Sequence, residues 1–262
     1  MDTNGASNRR FGLFEGTAAS NRSNPNNFLV VIPARNEERT VGAVVRDIKT
    51  RHQCCVVVVD DASTDRTRSV ALTAGAAVLK LPFPMGAWCA TQAGMRYGLK
   101  HDYQYVVTMD ADGQHHARSV AKIINSVQSG EADVAVGACP HRLSPAKRVA
   151  WAYFRTLTRL SIKDFTSGLR AYNLRAIAIL SRRYASLLDY QDIGVLMLLQ
   201  REGLVIKEIP VTMSARQAGH SRVFSSWFVV TKYMLQTSVL CLSRLGPKNP
   251  QRAATRIEAG TP

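Results

Sequence analysis

The stretch YVVTMDADGQHH, residues 105–116, decides how the chain is read. An apolar run stops at two aspartates spaced one apart, Asp110 and Asp112. Gly113, Gln114, His115 and His116 follow. Two like charges that close repel each other unless a cation lies between them. A divalent metal shared with the phosphates of a ligand is the natural candidate, because hard cations take oxygen ligands. Asp and Gly are also ordinary turn residues. With 12 aspartates in 262 residues, an Asp-x-Asp arises by chance in roughly half of such chains. The neighbouring segments therefore decide.

Upstream, FLVVIP (28–33) is a continuous apolar run ended by Pro33. A helical period follows through Val41, Val44, Val45 and Ile48. CCVVVVD (54–60) is β-branched in the manner of a strand buried on both faces. DASTDRT (61–67) is turn chemistry, with Ser63 or Thr64 placed to cap the next helix. Further along, the pattern predicts a short strand at 76–80, a helix at 87–100, a strand at 103–109, a helix at 117–128 and a strand at 132–137. Strands alternating with helices predict an α/β fold with a mostly parallel central sheet and flanking helices. Ligands of such sheets bind beyond the carboxyl ends of the strands. Segments 33–37, 60–65 and 110–114 each follow a strand, so three polar clusters converge on one crevice.

The bulk numbers narrow the class. A chain of 262 residues with 46% hydrophobic content supports one large domain. The net charge of +15 admits nucleic acid, an anionic membrane surface or a polyanionic small substrate. The basic residues are scattered, and no helix-turn-helix, zinc or RNP pattern occurs, so nucleic acid is not the expected partner. Five cysteines, Cys54 and Cys55 adjacent among them, show no disulfide or metal spacing and suit reduced thiols in a cytosolic protein. The N-terminus lacks the apolar stretch of a signal peptide. Residues 1–27 and 246–262 read as disordered tails.

Three segments, VVIPARNEERTVG (30–42), VVVVDDASTDRT (56–67) and TMDADGQHH (108–116), resemble in order and spacing the nucleotide-sugar half of family 2 glycosyltransferases with the Rossmann-like GT-A fold. KDFTSGLRAYN (163–173) and KEIPVTMSARQAGHSR (207–222) are similar to the dolichyl- or polyprenyl-phosphate sugar synthase branch, which includes the dolichyl-phosphate mannose synthases. The resemblance covers residues 28–222, the expected catalytic domain. It implies an inverting, metal-dependent transfer from a GDP- or UDP-sugar to a polyprenyl phosphate of the dolichyl or undecaprenyl type, with Mg²⁺ or Mn²⁺ as cofactor. Pro33, Ala34 and Glu37 match positions that hold the nucleotide. Asp61 matches the contact to base or ribose, with Asp60 supporting it. Asp110 and Asp112 match the metal-binding pair, Asp110 also lying against the nucleotide sugar, and Gln114 matches a further residue that reaches the metal. Asp164, Thr166, Ser167 and Gly168 match the acceptor-side loop, and Arg216 and Arg222 match basic positions near the phosphates.

The chain departs from that branch in three places. PMGAWCATQAGM (84–95) stands where a Gly/Lys-rich pattern is usual. VGACPHR (136–142) replaces Gly-Ser-Arg and displaces the arginine to Arg142, and DYQDIG (189–194) offers Asp192 where Glu is common. These changes bear on sugar and base preference.

The acceptor sets the remaining demands. A hydroxyl needs a general base within hydrogen-bond reach, for which Asp192 and Asp164 are candidates. A lipid phosphate, with a second pKa of about 6, is already ionised at neutral pH. The difficulty is then to hold two polyanions together, which suits arginine. Arg142, Arg148, Arg170, Arg216 and Arg222 are the candidates, Arg222 foremost. A family 2 transferase acting on a saccharide or small-molecule hydroxyl, a metal-dependent nucleotidyltransferase and a basic nucleic-acid-binding module are the competing readings.

Residues 223–245, VFSSWFVVTKYMLQTSVLCLSRL, contain no Gly or Pro. Ser225, Lys232, Gln236 and Ser243 fall on one narrow helical stripe, and the rest is mostly apolar. A spanning helix would not place Lys at its centre. The pattern predicts an amphipathic helix lying in a membrane interface, or else one packed on the sheet. A peripheral location at the cytoplasmic face of a membrane follows, with anionic lipid and a membrane-protein partner as expected company.

Overall fold

The apolar run Phe28–Ala34 forms β2, a strand at the middle of an eight-stranded sheet. The computed structural model describes residues 14–15, 28–139, 145–187, 193–214, 234–235 and 238–239. Within them the other strands are β1 (Phe14–Glu15), β3 (Cys55–Asp60), β4 (Ala77–Lys80), β5 (Tyr105–Thr108), β6 (Val134–Ala138), β7 (Arg170–Asn173) and β8 (Ile206–Pro210). The helices are α1 (Val41–Arg51), α2 (Thr67–Thr73), α3 (Ala87–Lys100), α4 (Arg118–Gln128), α5 (Pro145–Thr158), α6 (Leu174–Leu180) and α7 (Ile193–Arg201). The sheet order is β1-β4-β3-β2-β5-β7-β6-β8.

β2 alternates between two cores. Val30 and Ile32 pack with Val41, Val44, Val45 and Ile48 of α1 and with Val120, Ile123 and Ile124 of α4. Val31 faces α3 on the other side, where a Cβ on Gly94 would run into the Val31 side chain. Glycine there lets the helix lie directly on the strand. Leu29, Val30, Val31 and Ile32 are all fully buried, each such side chain contributing about 1.5–3 kcal/mol of hydrophobic stabilisation. That double coverage is why the strand reads as an unbroken apolar run rather than an alternation.

β2 pairs in parallel with β3 and β5, β3 with β4, and β6 with β8. The mostly parallel α/β architecture is as expected, with two reversals. β7 enters antiparallel between β5 and β6, with Arg170 opposite both Thr108 and Val136. Phe14 and Glu15, inside the stretch expected to be a tail, form β1 and pair antiparallel with Leu79 and Val78. An edge strand exposes unpaired N–H and C=O groups that a short segment can satisfy. Tyr103 and Gln104, expected in a strand, precede it instead: Asp102 adopts φ +61° and the Tyr103 amide donates to Gly98 O as α3 closes.

The chain divides into two compact units, residues 1–221 and 222–262. In the second, Met234, Leu235, Ser238 and Val239 are helical, and Ser238 Oγ donates to Met234 O at 2.7 Å. Leu235 and Val239, four residues apart, are exposed. The rest of the helix expected over 223–245 lies outside the described residues. No helix among the described residues is long and apolar enough to cross a membrane.

Candidate active site

Register brings the polar clusters together. Ala34 pairs with Asp60, and Val31 with Thr108, so segments 33–37, 60–65 and 110–114 leave the same edge of the sheet. The first two interlock. Asn36 (φ +56°) donates its amide to Ser63 Oγ at 3.0 Å, and its Oδ1 accepts from the Thr64 amide at 2.9 Å. The Glu37 amide donates to Thr67 Oγ1 at 2.7 Å, and the Glu38 amide to Asp65 Oδ2 at 3.1 Å. Burial would raise the Asp65 pKa, but hydrogen bonds from Thr67 and Glu38 outweigh it and hold the carboxyl below its ordinary value. Pro33 and Glu37 are half-buried and Ala34 is buried. Glu37 Oε2 accepts from Thr40 Oγ1 at 3.1 Å.

Asp60 and Asp61 are both buried. Asp60 Oδ1 accepts the Ser63 amide at 3.0 Å. Asp61 takes the Met85 amide on Oδ1 at 2.6 Å and the Gly86 amide on Oδ2 at 3.0 Å. These amides immediately precede α3, where backbone donors lack helical partners and a negative charge is favoured. Gly86 sits at φ +88°, a conformation suited to glycine. The segment that departs from the Gly/Lys-rich pattern is thus tied to Asp61; Met85 within it and Phe83 just before it are exposed.

The 110–114 turn is closed by Asp112, whose Oδ1 accepts the Gln114 amide at 3.0 Å, with Gly113 at φ +74°. Asp112 is buried and Gln114 half-buried. The Asp110 side chain is 39% exposed, its Oδ2 3.9 Å from His115 Nε2. It is the open carboxylate of the group. Gly168 lies against it: a Cβ there would enter the Asp110 carboxylate. Glycine at 168 is therefore a requirement of close approach.

β7 delivers that glycine. Running antiparallel beside β5, it brings the loop before it, residues 163–169, to the carboxyl edge. Thr108 Oγ1 donates to Gly168 O at 2.9 Å, and the Gly137 amide to Leu169 O at 2.8 Å. The buried Ser167 hydroxyl donates to Gly137 O, so it ties the loop to β6. Asp164, also buried, accepts from the amide and hydroxyl of Thr166 at 3.1 and 2.9 Å. Arg170, a candidate for gripping polyanions, is fully buried. Its Nε donates to Ser167 O at 2.9 Å and its Nη2 to Phe165 O at 2.6 Å, so it braces the loop from beneath. Arg148, by contrast, is exposed on α5.

Two contributors had no assigned role. Glu208 of β8 accepts the Lys163 amide at 2.8 Å. Beyond β8 the chain crosses to the 110–116 turn: Met213 bridges to His115, the Ser214 amide donates to Gln114 O at 2.8 Å, and Ser214 Oγ lies 3.0 Å from His116 Nε2. The KEIPVTMS segment carried a resemblance but no local signal of these contacts. Arg142, Asp192, Arg216 and Arg222 lie outside the described residues.

Comparison with known proteins gives a family, two relatives and a solved structure. The family described as Glycosyl transferase family 2 matches residues 29–187. The polyprenol monophosphomannose synthase of Mycolicibacterium smegmatis is 29% identical over 224 residues, 76% of this chain and 81% of that protein. The undecaprenyl-phosphate mannosyltransferase of Micrococcus luteus is 32% identical over 215 residues, 74% and 86% respectively. Among solved structures, glucosyl-3-phosphoglycerate synthase from Mycobacterium tuberculosis, in complex with Mn²⁺, UDP and phosphoglyceric acid, matches with a TM-score of 0.67. It is 21% identical, covering 88% of this chain and 82% of that one, a likeness of fold.

Proposed function

The chain belongs to glycosyl transferase family 2, and on that premise we propose that it transfers a sugar from a nucleoside-diphosphate sugar to a polyprenyl phosphate, with inversion, at the cytoplasmic face of a membrane. The observation that carries the acceptor is the pair of relatives named for polyprenol and undecaprenyl phosphate, each matched over more than four fifths of its length.

On the donor side, the interlocked segments 33–37 and 60–65 would floor the nucleotide, with Asp61, supported by Asp60, assigned to base or ribose and its carboxylate held by the Met85 and Gly86 amides. Asp110, Asp112 and Gln114 would hold Mg²⁺ or Mn²⁺. They offer only oxygen donors, and Asp110 is open to a ligand beside a glycine that adds no bulk. Among the described residues no group of three or more His, Cys, Asp or Glu could hold a metal ion. A small donor set of this kind suits a hard cation completed by substrate phosphates. When bound, the cation supplies Lewis-acid stabilisation to the departing diphosphate.

On the acceptor side, an ionised phosphate oxygen attacks the anomeric carbon as the bond from that carbon to the diphosphate oxygen breaks. The nucleoside diphosphate leaves with the electron pair, and the configuration inverts. No strong base is required, since a phosphate monoester with a second pKa of about 6 is mostly ionised at neutral pH. Asp164, already accepting from Thr166, orients the acceptor loop, and Asp192 is a second orienting group. Arg216 and Arg222 follow Ser214, which is anchored beside Gln114. Together with Arg142 they neutralise the two polyanions.

The test is a panel of GDP- and UDP-sugars with Mn²⁺ or Mg²⁺ against three acceptors: a polyprenyl phosphate, a simple saccharide and 3-phosphoglycerate. Transfer to the prenyl phosphate is the expected result. A hydroxyl acceptor is the second reading, motivated by the phosphoglyceric acid in the structural neighbour. Transfer only to the saccharide or 3-phosphoglycerate would establish it, and undiminished activity in EDTA would refute the metal.

A further inference from the structure

Glu208 stands on β8 opposite Val136 of β6, in a segment whose other charged residue, Lys207, points to solvent and pairs with Glu131 at 3.3 Å. Glu208 instead turns inward. Its Oε2 accepts the Lys163 amide at 2.8 Å, immediately before Asp164. Burial pushes its carboxyl above the ordinary range. The amides of Lys163 and Asp164 pull it back only in part, and the neighbouring Asp164 carboxylate pushes it up further. Burying one acid beside another is unfavourable for folding. The arrangement therefore serves geometry better than stability.

We infer that Glu208 is a positioning residue: it fixes the backbone at 163–164 and thereby aims the Asp164 carboxylate at the acceptor side of the site. The tether spans 45 residues of sequence and reaches the loop end that Thr108, Gly137 and Arg170 do not hold, since those act on 165–169. The inference rests on reading 163–169 as the acceptor loop.

The experiment compares wild type, Glu208→Gln and Glu208→Ala. Gln keeps an oxygen for the amides and removes the charge; Ala removes the tether. Three readouts are taken: kcat and KM for prenyl phosphate, the thermal shift given by UDP or GDP with Mn²⁺, and amide exchange over residues 160–170. Ala is expected to lower kcat/KM for the acceptor by on the order of ten- to a hundredfold, the scale of a slightly misplaced group. It should leave the nucleotide thermal shift unchanged and accelerate exchange at 163–164. Gln should restore acceptor kinetics and protection. Wild-type acceptor kinetics in the Ala variant, or equal loss of the nucleotide shift, would overturn the inference. If wild type itself transfers to no prenyl phosphate, the functional reading fails separately. Exchange then still decides the tether: protection lost with Ala and kept with Gln upholds it, and unchanged protection refutes it.

Discussion

Asp112 uses Oδ1 to hold the Gln114 amide, so replacing it with Ala would remove both a proposed metal ligand and the lock of its own turn. Asn separates these, since its carbonyl oxygen still accepts the amide while the charge is gone. We expect Asp112→Asn to lose transfer and the Mn²⁺-dependent nucleotide thermal shift while melting without ligand close to wild type. A mutant that keeps the cation-dependent shift would exclude Asp112 as a ligand. Gly168 makes a complementary case. Its substitution removes no proposed ligand, yet a Cβ there must displace the Asp110 carboxylate. Gly168→Ala is expected to weaken apparent Mn²⁺ affinity by about tenfold or more, the scale at which displaced supporting groups act on metal sites. A Mn²⁺ titration of the donor-induced shift reads it directly, and wild-type affinity would mean that Asp110 gives way freely. Arg170 shows why residue type alone misled: a buried guanidinium satisfied by loop carbonyls and a phosphate-binding one look alike in sequence.

At the scale of elements, the first half of the sheet was legible because each strand there is apolar on both faces and each helix carries its own period. β7 was not. Four residues, RAYN, hold a buried arginine and a fully buried tyrosine, and their pairing partners lie 62–68 residues upstream in β5 and 34–38 residues upstream in β6. β1 is two residues long and has no period at all. The strand-end clusters were visible as composition. The contacts that make them a site, such as Glu37 to Thr67 and Ser214 to Gln114, join segments 30 or more residues apart and leave no local pattern. β8 provides a pH test of one such contact. Glu208 has a raised pKa in the folded protein, so the native state binds more protons than the unfolded one between the two values. Stability is then lost as pH rises through that window, and is not penalised below the ordinary glutamate range. Unfolding midpoints of wild type and Glu208→Gln should therefore diverge from acid toward neutral pH, wild type falling relative to the variant. Parallel curves would mean that the carboxyl is not held in its protonated form by burial.

For the whole molecule, the question is what a net charge of +15 accomplishes on a chain whose proposed substrates are both anionic. A few arginines suffice for the phosphates, so most of the charge acts at long range, and an anionic membrane carrying the lipid acceptor is the surface it would seek. The stretch 223–245, amphipathic in sequence, would supply the apolar half of such binding; Leu235 and Val239, the exposed apolar residues described within it, stand four apart on one helical face. We therefore expect liposome binding to rise with the fraction of anionic lipid, at ~1 kcal/mol per basic residue near the surface. Binding should fall with salt, because screening acts over ~8 Å at physiological ionic strength. Replacing Trp227 and Phe228 together with Glu should release the protein from liposomes without lowering its melting temperature. The decisive comparison is between acceptors. The double variant should keep its activity on a short, water-soluble prenyl phosphate, because nothing at the carboxyl edge of the sheet has changed. On a long-chain acceptor embedded in vesicles it should lose activity in proportion to its loss of binding. Equal loss on both acceptors with a lowered melting temperature would show instead that 223–245 packs as a core element, and the charge would then have to draw the protein to the membrane without it.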